Sequence, residues 1–168
     1  MHHKRSFRRK LQTFFLSLLL VLLTVAEVPS AAYTAEAASA DTTMAVHFLD
    51  VGQGLSILVQ SQGQNLLYDG GDRGHSSFVV SYLQKQNISI IDYMISSHYD
   101  EDHVAGLVGC LDSFSVKNVI GADYIQDTKI YQSFENSVAS QGLTVQHPEP
   151  GTDFTFGGGK FTVLSPQS

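Results

Sequence analysis

Apolar and polar positions after residue 40 predict a protein that alternates short strands with amphipathic helices. Helices are predicted from Ser76 to Gln86, with Ser76 as the N-cap, and from Tyr131 to Ser140, because apolar residues recur on one face of both segments. A third helix is predicted over residues 104–113. Short apolar runs predict strands at 45–49, 55–59, 65–68, 90–96, 116–120, 143–145, 154–156 and 161–164. Hairpins followed by strand–helix–strand units predict a mixed α/β sandwich built in layers.

The first 40 residues have the layout of a secretory signal peptide. A basic start (Lys4 to Lys10) precedes an apolar run of 16 residues from Leu11 to Ala26, and small residues follow up to Ala40. This run is shorter than the roughly 20 residues that span a bilayer, which favours a cleaved leader over an uncleaved membrane anchor. The sequence therefore predicts a signal peptide at 1–40, one domain at 41–168, and a secreted protein without stable membrane insertion.

The predicted domain is acidic and contains a single cysteine. After residue 40 the chain has five basic and fourteen acidic residues, an excess of nine negative charges. Such a surface does not attract a polyanion, so a nucleic-acid substrate would have to be held through metal ions or a local patch. Cys110 excludes an internal disulfide and lies in an apolar stretch, which predicts a buried, inert thiol.

Four potential metal ligands lie within six residues, directly after the predicted strand 90–96. They are His98, Asp100, Asp102 and His103. Imidazole and carboxylate groups bind Zn²⁺ or Mn²⁺, and alternate residues of an extended loop share a face. The spacing predicts one ion at His98 and Asp100 and a second at Asp102 and His103. The alternative interpretation is an acidic, solvated loop that happens to contain two histidines.

Other polar residues are weaker candidates. Asp69 ends a strand in a glycine-rich loop, where a carboxylate can orient metal ligands from behind or brace the loop. His75 lies in the same loop and is a candidate for the rim of the site. His47, within a strand, is predicted to be structural, and His147, beside a proline, is predicted to be a surface residue.

Three motifs in this order resemble the metallo-β-lactamase superfamily. The segment from Ser97 to His103, followed by Gly106, resembles its metal motif, and Phe48–Gly54 and Leu66–Gly71 resemble its opening motifs. Asp100 at the second liganding position is similar to the extracellular hydrolase domain of ComEC-type competence proteins. The resemblance covers roughly residues 45–165. It implies an αββα fold, one or two bound ions (Zn²⁺ or Mn²⁺) and hydrolysis of a phosphodiester, with DNA as the first candidate.

The resemblance also implies that part of the ligand set lies further along a complete domain. The superfamily's site is completed by two more histidines and a bridging aspartate on later strands. The segment from Phe161 to Ser168 resembles the point just before those strands. The chain is therefore expected to correspond to the N-terminal half of a two-lobed domain.

These observations predict an exported metal-dependent hydrolase of phosphodiesterase or nuclease type. Asp102 would bind metal and also orient or deprotonate the attacking water, while Asp69 would support the ligands. One alternative is a hydrolase of a cell-wall or small phosphoester, which the acidic surface favours. Another, for a chain that ends at Ser168, is a non-catalytic metal-binding fragment. The pattern makes no prediction of oligomeric state.

Overall fold

The computed structural model describes residues 43–165, and these form ten strands and three helices. In chain order the elements are β1 Met44–Phe48, β2 Ile57–Ser61, β3 Gln64–Tyr68, α1 Ser76–Lys85, β4 Ile90–Ile91, β5 Tyr93–Ser96, α2 Glu101–Ser113, β6 Ser115–Val116, β7 Val119–Gly121, α3 Lys129–Ser140, β8 Val145–Gln146, β9 Asp153–Phe156 and β10 Gly159–Thr162. The predicted signal peptide lies outside the described residues. None of the helices described is long and apolar enough to cross a membrane.

A six-stranded mixed sheet forms the centre of this region, in the order β1-β2-β3-β5-β7-β8. Strands β1 to β3 form an antiparallel meander, and β3, β5, β7 and β8 run parallel to one another. Gln62 and Gly63, both with positive φ, form the two-residue turn between β2 and β3. Each parallel connection contains one helix, as parallel pairing requires. The predicted mixed α/β architecture is confirmed.

One face of the sheet carries the hydrophobic core. Leu58, Leu67, Met94 and Val119 lie side by side across four neighbouring strands, and all four are fully buried. Burial of each such side chain contributes roughly 1.5–3 kcal/mol. The helices cover this row, and α2 packs against both α1 and α3, so α2 is the middle helix of the layer. The loop that precedes α2 therefore lies at the end of β5, one of the central strands of the sheet.

The opposite face of the sheet is only partly covered. Tyr93 of β5 contacts the β9–β10 hairpin, with its ring centroid 5.1 Å from that of Phe161, and Phe161 stacks on Phe154 at 4.9 Å. At the β1 edge, Val46 and Phe48 point to this same side and are exposed. The two faces therefore differ: helices seal one, and a short hairpin covers part of the other.

Two predicted strands are each divided in two. The predicted strand 90–96 is broken at Asp92, whose carboxylate accepts hydrogen bonds from the Asn65 N–H and the Lys117 side chain. The predicted strand 116–120 is broken at Lys117 and Asn118. As a result β4 pairs with β6 in a small separate sheet, while β5 and β7 pair in the main sheet. Each segment was predicted as one continuous strand, but the pairing partners change at these polar residues.

The three helix starts differ from the predictions, by two residues for α3, which begins at Lys129 rather than at Tyr131. The N-cap of α1 is His75 rather than Ser76, because the Asp72 carboxylate accepts the hydrogen bond from the His75 N–H. Helix α2 begins at Glu101 rather than at residue 104. Asp100 is its N-cap, and its carbonyl accepts the first helical hydrogen bonds. Acidic residues in the first turn of α2 favour this earlier start through the helix dipole.

Candidate metal centre

Three loops meet at the N-terminal end of α2. The loop after β1, the loop after β3 and the loop after β5 all lie at one end of the sheet. Main-chain hydrogen bonds join them: Gly70 N–H donates to the His103 carbonyl at 2.7 Å, Gly71 N–H donates to Leu55 at 2.8 Å, and Gly106 N–H donates to Gly71 at 3.1 Å. The backbone therefore fixes the position of α2's first turn relative to the glycine-rich loop.

Glycine is needed where this loop touches the helix. A side chain at Gly106 would overlap the carbonyl of Gly70, and a side chain at Gly70 would overlap the backbone of α2 around Leu107. Gly54, with φ of +101°, lies in the same way against the carbonyl of Asp102. The glycines of the three motifs thus allow the loops to approach the helix that carries Asp102 and His103.

Asp69 lies at the base of the site. Its side chain is fully buried, and its backbone has the left-handed φ of 56° that non-glycine residues seldom adopt. Its carboxylate accepts three hydrogen bonds: from the Ser97 N–H at 2.8 Å, from the Ser97 hydroxyl at 2.6 Å and from Nδ1 of His103 at 2.9 Å. Asp69 therefore joins the loop after β5 to the first turn of α2.

The hydrogen bonds indicate which ring nitrogen carries the proton when the imidazole of His98 or of His103 is neutral. A carboxylate has no proton to give, so Nδ1 of His103 donates to Asp69. The Ser97 hydroxyl also donates to Asp69, so its oxygen accepts from Nδ1 of His98, 2.9 Å away. In its neutral form each ring therefore carries its proton on Nδ1 and keeps the lone pair of Nε2 for another partner.

The two Nε2 atoms face carboxylates. Nε2 of His98 is 3.6 Å from Asp100 Oδ2, and Nε2 of His103 is 3.8 Å from Asp102 Oδ2. The two rings lie next to each other with centroids 4.0 Å apart. The structure thus brings together, as two pairs, the four residues that the sequence predicted as ligands. Asp102 reaches its place from the first turn of α2, not from an extended loop as expected.

Tyr99 explains why His98 and Asp100 point out of the protein. It lies between them in the sequence and is fully buried, with its hydroxyl donating to the Ala122 carbonyl at 2.8 Å. Burial raises the pKa of Tyr99 above its usual value. Because side chains alternate in extended backbone, an inward Tyr99 turns its two neighbours toward solvent.

The donor types and spacing fit a divalent metal. Two ligands of one tetrahedral Zn²⁺, with bonds of about 2.0–2.1 Å, lie about 3.3 Å apart, close to the nitrogen–oxygen separation in each pair. A carboxylate behind a ligating imidazole, as Asp69 is behind His103, is the usual support for such a ligand. Between residues 43 and 165, however, no group of three or more His, Cys, Asp and Glu side chains is arranged to hold an ion.

An open pocket adjoins the Asp102 side of the site. Its lining consists of Gln53, Asp72, Arg73, Gly74, Glu101 and Asp102. Within it the Arg73 Nε donates to Glu101 at 3.3 Å. The amide of Gln53 lies 3.5 Å from Asp102 Oδ2. A polar pocket beside the pairs supplies room for a substrate.

Several site residues were not predicted from the sequence. Ser97 was quoted only as part of the motif, although its place directly before His98 is a usable signal. Gln126, which donates to Asp100 at 3.1 Å, comes from a loop 26 residues away and carries no signal in the sequence. Arg73 and Gln53 lie in predicted turns, and nothing in their spacing distinguishes them.

The remaining histidines lie away from the two pairs. His75 contacts Asp72 at 2.7 Å and is next to, but not part of, the pocket lining. This hydrogen bond lowers the pKa of Asp72. Nδ1 of His47 contacts the Tyr82 hydroxyl at 2.9 Å on the helix-covered face, and exposed His147 contacts the Gly121 carbonyl at 3.1 Å. Cys110 is buried in α2, and burial raises the pKa of its thiol to about 12.

Comparison with known proteins agrees with this fold. The sequence pattern of the metallo-beta-lactamase superfamily matches residues 49–163, so the chain belongs to that superfamily. It is 30% identical over 131 residues to Recombination protein 2 of Haemophilus influenzae, covering 75% of this chain and 15% of that protein. It is 36% identical over 63 residues to Competence protein ComA of Neisseria gonorrhoeae, covering 37% of this chain and 9% of that protein.

A solved structure supports the fold. A variant of a metallo-beta-lactamase with a HARLDQ motif from Cronobacter sakazakii superposes with a TM-score of 0.50 at 15% sequence identity. The superposition covers 67% of this chain and 48% of that one. The chain therefore spans less than half of this solved relative and a small fraction of the recombination protein and the competence protein. The predicted resemblance to ComEC-type proteins is confirmed at the level of the family.

Proposed function

We propose that the protein is an exported, metal-dependent hydrolase of phosphodiesters, with DNA as the first candidate substrate. The observation that carries the proposal is the pair of adjacent imidazoles, with their Nε2 atoms 3.6 Å and 3.8 Å from a carboxylate oxygen. Similarity to a recombination protein and a competence protein supports a nucleic-acid substrate. The basic and apolar pattern of residues 1–40 supports export.

The residues of the site have distinct roles in this proposal. His98 and Asp100 would hold one ion, and Asp102 and His103 a second, with Zn²⁺ or Mn²⁺ as the metal. Bound ions of this kind lower the pKa of a coordinated water and neutralise charge on the phosphate. Asp102 orients the attacking water and accepts its proton. The water oxygen bonds to phosphorus, one ester P–O bond breaks, and the released oxygen takes up a proton. Asp69 keeps His103 in its orientation.

Metal analysis and hydrolysis assays on the full native chain test the proposal together. The protein is freed of metal, supplied with Zn²⁺ or Mn²⁺, and assayed with bis(para-nitrophenyl) phosphate and with single-stranded DNA. We expect binding and hydrolysis to depend on the metal and to be lost in His103→Ala. The matched control is His147→Ala, an exposed histidine away from the site, which should retain both. Metal-independent hydrolysis would contradict the proposal.

Two alternatives have observations in their favour. The excess of acidic residues favours a small phosphoester or a cell-wall phosphoester over DNA, and activity on the small substrate alone would select this alternative. The pairing of ligands in twos favours a non-catalytic metal-binding protein. Tight metal binding without hydrolysis of any phosphoester would select this second alternative.

A further inference from the structure

Arg73 is a basic residue in a pocket whose other charged residues are acidic. Within the part of the chain that the structure describes, it is the only basic residue in the lining of the pocket beside Asp102, where three of the six lining residues are acidic. The four other basic residues between 43 and 165 lie elsewhere: Lys85, Lys117, Lys129 and Lys160. Lys117 and Lys160 are also paired with aspartates. An anion that enters this pocket therefore meets one positively charged side chain of the protein.

The contacts of Arg73 leave most of its binding capacity free. Among the described residues, its partner is Glu101, which engages Nε at 3.3 Å and none of the terminal nitrogens. The side chains of Arg73 and Glu101 are 72% and 58% exposed, so this ion pair is weak and can exchange partners. A guanidinium presents a planar set of donors that matches two oxygens of a phosphate.

We infer that Arg73 is the substrate-binding cation of this site: on binding, it exchanges Glu101 for a phosphate oxygen of the substrate. Glu101 belongs to the first turn of α2, next to Asp102, so the ion pair lies directly beside the proposed ligands. The inference rests on the proposed hydrolysis of phosphodiesters and adds the residue that recognises the substrate's charge. It makes Glu101 a competitor of the substrate.

Kinetics with charged and neutral substrates test this role. The full native chain, loaded with Mn²⁺, is assayed with the para-nitrophenyl ester of thymidine 5′-monophosphate and with neutral para-nitrophenyl acetate. In Arg73→Ala, KM for the phosphodiester should rise about fivefold at low ionic strength, with kcat changed less. Arg73→Lys should restore part of the loss. Glu101→Gln should lower KM, because the competing carboxylate is removed.

A binding measurement separates this inference from the proposed function. The Kd of thymidine 5′-monophosphate is measured by calorimetry for the metal-free and the metal-loaded chain. This measurement does not require the protein to hydrolyse a substrate. Arg73→Ala should weaken binding in both states, whereas Lys85→Ala, a matched exposed cation outside the pocket, should not. If Arg73→Ala and Lys85→Ala had the same Kd and the same KM, the role of Arg73 would be overturned. It would also be overturned if Arg73→Ala lost as much activity toward the neutral ester as toward the phosphodiester. Inactivity of the wild type toward phosphodiesters would instead overturn the proposed hydrolysis, while the Kd comparison still judges Arg73.

Discussion

The two histidine–carboxylate pairs contain the same residue types but differ in how they are held. His103 and Asp102 belong to the first turn of α2, and their side chains are 18% and 29% exposed. His98 and Asp100 belong to the loop before the helix, and their side chains are 37% and 59% exposed. We call the first the helix pair and the second the loop pair. A regular element and deeper burial hold the helix pair in place, while the loop pair has more freedom.

The supports behind the pairs differ in the same sense. The fully buried Asp69 accepts directly from His103, whereas His98 reaches Asp69 only through the Ser97 hydroxyl. Asp100 instead accepts a solvent-exposed hydrogen bond from the side-chain amide of half-buried Gln126. A hydrogen bond in a buried setting is less disturbed by water than one at the surface. We therefore expect the helix pair to bind metal more tightly than the loop pair.

Removal of one imidazole from each pair should produce the largest effect. His103→Ala is expected to weaken metal binding by at least about a hundredfold, since loss of a supporting partner alone costs about 10- to 100-fold. His98→Ala should weaken the second binding event and leave the first almost unchanged. Calorimetric titration of the metal-free chain with Zn²⁺ measures both events. Equal losses in the two variants would contradict the ranking of the pairs.

Substitution of the residue that supports each pair, Asp69 for the helix pair and Gln126 for the loop pair, should sharpen the comparison. Asp69→Asn keeps the shape of the side chain but removes the charge that holds His103, so metal affinity should fall about 10- to 100-fold. Gln126→Ala removes one surface hydrogen bond to Asp100 and should cost only about fivefold. Metal competition with a chromogenic chelator gives both values. A larger loss in Gln126→Ala would show that the loop pair dominates binding.

The close contact between the glycine-rich loop after β3 and α2 should contribute to the stability of the protein. Gly106→Ala forces a methyl group against the Gly70 carbonyl, and overpacking of this kind costs about 1–3 kcal/mol in the free energy of unfolding. Gly159→Ala is the matched control, because nothing lies near a side chain built at that glycine. Urea denaturation of the metal-free chains compares them. A Gly106→Ala variant as stable as the control would mean that the loop can move away from α2.

The smallest expected effect is chemical and reports on the helix that carries the helix pair. Cys110 is buried in α2, and its pKa of about 12 keeps the thiol protonated at pH 8. Iodoacetamide should therefore modify the folded protein very slowly. Modification should become faster in Gly106→Ala, about tenfold for each 1.4 kcal/mol of unfolding free energy that the variant loses. Mass spectrometry measures the rate of modification. Rapid modification of the wild type would contradict a firmly packed α2.

Local patterns in the sequence predicted much of the fold, and long-range pairing explains what they missed. Short apolar runs identified the strands of the meander, and apolar residues that recur on one face identified the helices. The division of two strands depends on Asp92, whose partners Asn65 and Lys117 are more than 20 residues away. The early start of α2 was missed because Glu101 and Asp102 were interpreted as part of an extended metal-binding loop.

The candidate site shows the same limit. The ligand cluster and Asp69 stand out because their spacing and position after strands carry a chemical meaning. The contacts made by Ser97, Arg73 and Gln126 depend on how three loops fold against α2. A serine, an arginine or a glutamine in a loop is most often a solvated residue, so only the coordinates identify these contacts.

Asp69 supports both histidines of the site, and this has a consequence for how the site changes during evolution. One carboxylate serves both imidazoles, directly through His103 and by way of Ser97 to His98. Substitutions at these positions are therefore expected to show strong epistasis, with the effect of one depending on the identity of the others. A library that varies each position alone would find few improved variants. Joint randomisation of Asp69 and Ser97 offers the accessible route to a different metal preference.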